Sequence, residues 1–422
     1  MTQSHKIAIV GGGASGIFLA VLLKQVKIPF VLFEKNKILG KKLLATGNGR
    51  CNIYNTHTSA SFFHTSSFSK DSLNKILKSL DFEAFSEICQ DLGLFLEVLE
   101  DGKVYPLSNS SISVMKVFLS ILKDENIWLE NEVIAISSTP EGFLLQSLKS
   151  PQSKLKSQND SQILQIPQAH YFKSVVLACG SEAAPKLGGS SKGYELAKSL
   201  GLKCVATAPS LVPLCCKELF SGVNGVKLKV KIILKKQKKV ILEIYDDLLF
   251  RDYGISGFGV LDISAKMTEP CEQYTIQLDF LPKWDYKTLE NRLLKLAKKY
   301  SNVGDMLCGL LNPKIAYAFE KKYKITALNP KSIKTLAFNL KNFEFNITQK
   351  CGFDAAEVSS GGISGSEINA EKMESCKINN LYLIGEMLDV AGDRGGHNLA
   401  FAWASAFVCF KALVQNYWQT SN

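Results

Sequence analysis

The chain has 422 residues, of which 46% are hydrophobic and 21% charged, a balance that suits a folded protein with room for two domains and excludes a disordered or fibrous one. Its formal charge of +11 and pI of about 9.0 permit an anionic partner without demanding one. The eleven cysteines are scattered apart from adjacent Cys215 and Cys216, with no secretory pattern ahead of them and no zinc spacing among them, so reduced thiols, a cytoplasmic protein and no metal site are expected.

Taken in chain order, residues 6–10 read as a strand, Gly11 to Gly16 as a tight turn, 17–26 as a helix, and 30–33 as a second strand ending at Glu34, together a β-α-β unit. Residues 40–52 read as a loop rich in Lys and Gly, followed by helices over 72–80 and 82–92. The polar stretch 150–162 reads as a surface hairpin or loop. A buried strand is expected over 174–178, closed by Cys179 and Gly180, and then a helix over 193–200 stopped by Gly201.

From about residue 203 the texture changes. Strands with alternating lysines over 226–234 and 240–245, joined through Lys235, Lys236, Lys238 and Lys239, suggest an antiparallel hairpin with one wet face. Leu289, Leu293, Leu296 and Tyr300 then recur at helical spacing opposite Lys287, Lys295 and Lys298. The economical division is 1–202, an inserted β-rich and helical lid or substrate domain over 203–345, and 346–422 returning to complete the first domain. Residues 203–340 hold 23 Lys and Arg against 13 Asp and Glu, and the rest of the chain 27 against 26. The charge excess therefore belongs to the insert. The apolar run 399–410 is 12 residues long where a membrane span needs about 20, so it is read as a buried helix and no membrane contact is expected.

The sequence Gly11-x-Gly13-x-x-Gly16 lies between a strand and a helix, and Glu34 stands 18 residues beyond its last glycine. Gly11 would permit the tight turn, Gly13 the approach of a pyrophosphate to backbone amides with Ala14 and Ser15, and Gly16 the packing of helix on sheet. Glu34, followed by Lys35, would accept from an adenosine ribose and disfavours a 2′-phosphate, which leaves FAD or NAD. The alternative is a turn that binds nothing. Glycine and acid signatures at the far C-terminus favour FAD: residues 381–386 form an apolar strand ending in Gly385 and Glu386, with Asp389 close behind. Val133 could meet the adenine through its backbone, and Ala178 and Gly180 close the neighbouring strand.

These features resemble the BaiN/YhiN-like flavoproteins, a family of NAD(P)/FAD-dependent oxidoreductases that includes aminoacetone oxidase-like enzymes. The resemblance spans nearly the whole chain through Gly11 to Gly16, Gly40-Lys41-Lys42-Leu43-Leu44-Ala45-Thr46-Gly47-Asn48-Gly49-Arg50-Cys51-Asn52, Gly361-Gly362-Ile363, Gly385-Glu386-Met387-Leu388-Asp389-Val390 and Gly395-Gly396-His397-Asn398-Leu399. It implies an α/β fold: a Rossmann-like FAD-binding domain of the two-dinucleotide-binding-domain flavoprotein type, interrupted by a β-barrel-like and helical insert. His397 stands where the family usually has Tyr, and Ala406 where Gly is common.

In such proteins the flavin performs hydride transfer, and the protein positions it and adjusts its electrostatics. Backbone amides of Thr46, Gly47 and Gly49, with Lys42 and Arg50, are candidate FAD contacts. Gly396, with His397, Asn398 and Leu399, could aim a helix N-terminus at the reduced ring. Cys51 and His397 are the candidates for catalysis, against the plainer roles of a buried thiol and a structural imidazole. No second dinucleotide fingerprint follows, so no stable NAD(P)H site is expected, and a transient NAD(P)H, a substrate amine or another donor all remain open as the reductant. The leading expectation is an FAD-dependent oxidoreductase acting on a small molecule. The alternative is a flavoprotein that binds or modifies RNA through its basic insert, although nucleic acid is disfavoured because residues 235–239 carry no stacking aromatic.

Overall fold

The computed structural model describes residues 7–123, 126–149, 166–268 and 270–419. The expected polar loop over 150–162 lies outside the described residues. The chain forms two compact units, Met1–Ala208 with Val358–Asn422, and Pro209–Glu357.

In the first unit, β1 (Ile7–Val10) and β2 (Phe30–Phe33) are buried at every position, the pattern of parallel strands covered on both faces. The helix between them, α1 (Ala14–Gln25), buries nine consecutive residues from Ser15 to Leu23. The resulting sheet runs in the order Ile368–Asn369, Glu374–Ser375, Leu381–Leu383, Ser174–Leu177, β1, β2, Ile127–Trp128. Its central pairings are parallel, with Ile7 opposite both Ser174 and Phe30, and Val175 opposite Leu381. A strand from residue 381 onward thus lies two places from β1. Because ligands of such sheets gather beyond the carboxyl ends of the strands, this order brings residues some 370 positions apart to one edge.

Two segments depart from the expectations. Residues 40–52 are not a plain loop. They form the short helix α2 (Lys41–Ala45) and then a one-turn 3-10 element (Thr46–Gly49) in which Gly47 and Asn48 are left-handed, with Cys51 left-handed as well. The C-terminal helix, His397–Gln419, is longer than the 399–410 run that announced it, and is long and apolar enough by composition to cross a membrane. Most of its apolar window is instead buried against the first unit: Phe18 meets Trp403 at 5.3 Å, and the Trp403 indole donates to the Ile53 carbonyl at 2.8 Å.

In the second unit six strands close a barrel in the order Leu214–Cys216, Gly254–Ser256, Lys239–Arg251, Lys227–Lys236, Tyr274–Asp279, Phe343–Lys350. The lysine hairpin is there, with Lys231 opposite Tyr245 and Leu234 opposite Leu242. Four helices, Tyr286–Leu296, Val303–Cys308, Pro313–Tyr323 and Pro330–Lys341, follow the strand Tyr274–Asp279. Leu289 and Leu293 are buried as the spacing required, but that helix ends before Tyr300, which is exposed. The expected insert limits of 203 and 345 are both too early. Cys204–Ser210 pairs with Val358–Ile363 in a separate two-stranded sheet, and Phe343–Lys350 is a barrel strand, so the second unit starts and stops later.

Candidate active site

The first glycine motif fits a bound pyrophosphate by its empty space. Gly13 caps α1 without any side-chain cap, and a Cβ built on it would meet nothing within 4 Å. Gly11, at φ +112°, would drive a Cβ to 2.4 Å from the Ala178 carbonyl oxygen, and Gly16 to 2.0 Å from that of Gly11. Two glycines are thus demanded by packing and the third leaves a cradle at a helix N-terminus, where Ala14 and Ser15 begin the first turn.

Glu34 is buried at the carboxyl end of β2. One carboxylate oxygen accepts from the Gly12 amide at 2.8 Å, and the other from the Asn36 amide and side chain at 2.8 and 2.5 Å. Lys35 lies near enough to Cys179 to draw its thiol pKa down, against burial, which dominates and pushes it up to about 12. The Asn131 amide donates to the Glu34 carbonyl at 3.0 Å, setting Val133 two residues along the adjacent strand Asn131–Thr139. Ala178 continues the ladder beside Val10, and Gly180 turns away at φ +70° with open space around it.

The C-terminal motif packs directly on this cradle. A Cβ on Gly385 would come 2.4 Å from the Ser15 hydroxyl, and the Gly385 amide donates to Ser405 Oγ at 3.0 Å. Glu386 then reaches two distant segments at once: Lys42 Nζ donates to both its oxygens at 2.9 and 2.8 Å, and Ser181 Oγ donates at 2.9 Å. Glu386 and Asp389 have different neighbours. Asp389 is buried and one oxygen accepts from the Ser66 amide and the hydroxyls of Ser66 and Ser67 at 2.7 to 3.0 Å, which ties it to the segment at residues 66–67, whereas Glu386 is tied to Lys42 and Ser181.

Other expected residues sort by what they touch. Thr46 Oγ1 donates to the Leu43 carbonyl at 2.6 Å and Gly49 is left-handed with free space about it. Arg50 is exposed and lies over the Tyr105 ring at 5.2 Å. Cys51 is fully buried and burial pushes its thiol up to about 11, the reverse of an activated thiolate, so its candidacy for catalysis falls. The Asn398 side chain bridges the Gly392 amide and carbonyl, both at 2.8 Å, which makes it a brace of the preceding turn and removes it as a side-chain ligand. Leu399 is half-buried at the third position of the helix His397–Gln419.

His397 begins the C-terminal helix immediately after Gly396, whose φ of +103° and approach to the Tyr54 carbonyl admit no side chain. Its ring stacks on Phe62 at 4.2 Å, and its Nδ1 lies 3.0 Å from Thr58 Oγ1. Burial pulls its pKa down to about 4, so the imidazole is neutral. His64 and Asp393 stand nearby, Nε2 to Oδ1 at 2.7 Å. The residues that sequence reading missed are Ser181, whose position just past Gly180 at a strand's carboxyl end was the available signal, and Asn52, whose buried Oδ1 has no hydrogen-bond partner. Asn52 lies against Gly396 and was quoted only as part of a motif.

The family described as the HI0933-like protein Rossmann domain matches residues 5–412. The chain belongs to this family. HI0933-like membership agrees with the resemblance read from the motifs, and with it stands the reading of an FAD-dependent oxidoreductase whose cofactor is FAD. Among curated relatives, a 3-dehydro-bile acid delta(4,6)-reductase of Clostridium scindens is 29% identical, covering 97% of this chain and 99% of that protein. A ribosomal RNA dihydrouridine synthase of Haemophilus influenzae is 27% identical over 97% of this chain and 98% of its own length. Among solved structures, the open conformation of a flavocytochrome c3 fumarate reductase aligns with a TM-score of 0.50 at 14% identity, over 98% of this chain and 78% of that one, a likeness of fold.

Proposed function

We propose that this protein is an FAD-dependent reductase that saturates a carbon–carbon double bond conjugated to a carbonyl. The observation that carries the cofactor part is the open cradle at Gly13 between two glycines fixed by packing. The substrate class is supported by the two relatives together: a bile-acid delta(4,6)-reductase and a dihydrouridine synthase share little as molecules, but each is named for removing unsaturation beside a carbonyl.

In this reading the amides of Gly13 to Gly16 hold the pyrophosphate, Glu34 the adenosine ribose, the Val133 backbone the adenine, and Glu386, oriented by Lys42 and Ser181, the ribityl chain. When bound, FAD supplies the hydride. The N-terminus of the helix His397–Gln419 would supply partial positive charge to a ring held there, and neutral His397 would keep that end free of a full charge. The hydrogen-bonded pair His64 and Asp393 holds an exchangeable proton at Nε2 or Oδ1 for the carbon that hydride does not reach. NAD(P)H is a transient donor, and a reducing cytoplasm suits the eleven free thiols.

A second reading places the double bond in a uridine of RNA. It is favoured by residues 283–341, the four-helix stretch, which carry 13 Lys and Arg against 4 Asp and Glu, with Tyr300, Tyr317 and Phe338 exposed among them. One experiment tests both. The purified yellow protein is bleached anaerobically with NADH or NADPH and then offered a steroid enone or a uridine-containing RNA. Recovery of the oxidised spectrum with formation of the saturated product is expected with one of them. Reoxidation by dioxygen but by neither acceptor would overturn the proposal.

A further inference from the structure

The barrel of the second unit closes where its first strand meets its last. Leu214–Cys216 pairs with Phe343–Lys350 through only three positions, Leu214 with Lys350, Cys215 with Gln349 and Cys216 with Ile347, and the register slips between Cys215 and Cys216. Just past that ladder the Cys351 amide donates to the Pro213 carbonyl at 2.9 Å. Residues 349 and 351 share a face of their strand, so Cys351 lies beside Cys215. Their sulfur atoms are 3.5 Å apart, both half-buried and both free thiols. A disulfide requires about 2.05 Å between sulfurs, so the gap to close is within reach of small side-chain rotations.

We propose that Cys215 and Cys351 form a reversible, hydroperoxide-driven disulfide that locks the barrel seam. The pair is asymmetric. Gln349 Nε2 donates to Cys215 Sγ at 3.8 Å, whereas burial and the hydrogen bond to its neighbour push the Cys351 thiol up to about 12. Cys215 is therefore the attacking sulfur. Its thiolate attacks one oxygen of hydrogen peroxide, the O–O bond breaks, hydroxide leaves and takes up the proton the thiol had released to become water, and sulfur becomes a sulfenic acid. The Cys351 thiol then attacks that sulfur, the S–O bond breaks, and a second water leaves with the remaining proton. Two thiols have lost two electrons, and one peroxide has become two waters. A dithiol such as dithiothreitol reverses the step by exchange. The product ties residue 215 to residue 351, six residues inside each limit of the unit at Pro209 and Glu357, so nearly the whole second unit becomes one covalent loop.

The test uses the full chain as purified. After brief hydrogen peroxide treatment and alkylation of remaining thiols, a denatured thiol count is expected to fall by two, and non-reducing peptide mass spectrometry to show a 215–351 cross-link that dithiothreitol removes. Cys216→Ser assigns the bond within the adjacent pair and is expected to change nothing. Cys351→Ser is expected to leave a dimedone-reactive sulfenic acid at residue 215. Loss of the same two thiols in Cys215→Ser as in the native protein, a cross-link through Cys216, or oxidation to sulfinic acids without a cross-link would each overturn the proposal.

Discussion

In the unit that carries the candidate site, Gly11, Gly180 and Gly385 hold positive φ just past strand ends and Gly396 just ahead of the last helix, and all but Gly180 lie against neighbouring atoms closer than a side chain allows. The second unit is built from long regular elements: a barrel whose buried strand residues include Val230, Ile232 and Leu234, with helices whose exposed faces are lysine-rich. Charge divides the same way. Residues 209–357 hold 24 Lys and Arg against 16 Asp and Glu, and the remainder 26 against 23. Both units hold glycines that no side chain could replace, Gly254 and Gly257 among them in the second, but in the first unit they cluster at the candidate site, whereas the second unit's charge is spread over many replaceable side chains.

That contrast can be broken in steps of falling size. Gly13→Asp puts a carboxylate into the cradle, and flavin retention should vanish, as read by absorbance near 450 nm after gel filtration, while circular dichroism stays native. Retained flavin at full occupancy would remove the cradle from the site. Lys42→Met leaves the Glu386 carboxylate with Ser181 alone and should weaken FAD binding about 10-fold, the worth of a lost charge-assisted bond of about 1.5 kcal/mol, measured by flavin fluorescence titration.

The next effect is on stability and has a definite sign. His397 has a folded pKa of about 4 against an ordinary 6.5, so between these values the unfolded chain binds a proton that the folded one refuses. Stability is whole above about pH 6.5 and falls as pH drops toward 4, by up to about 3 kcal/mol. His397→Gln should flatten the urea midpoint across that window relative to the native chain. The smallest effect belongs to the second unit: Lys235→Ala removes an ion pair with an exposed Glu344 and should cost under about 1 kcal/mol. A larger loss there would contradict the idea that its surface charge is replaceable.

How far the sequence could be read follows from the range of each interaction. The strand, glycine turn, helix and Glu34 were legible because they are contiguous and each residue's reason is local. The insert was visible as a change of texture, and its limits were misjudged because Cys204–Ser210 and Phe343–Lys350 are strands whose partners lie far along the chain. The fold of residues 40–52 was hidden because left-handed Asn48 and Cys51 are conformations that few non-glycine residues adopt without tertiary support. The different surroundings of Glu386 and Asp389 could not be read from spacing, since Ser66 and Ser67, which hold one oxygen of Asp389, precede it by more than 320 residues.

The packing of Gly385 on Ser15 also has a consequence for the order of synthesis. The strand Ser174–Leu177 leaves the ribosome with one edge bare, and its partner Leu381–Leu383 follows about 200 residues later, roughly 10 to 40 s at ordinary rates of translation. Until then Ser15 lacks its neighbour and Lys42 its carboxylate. The candidate site is therefore complete only after the whole second unit has been made.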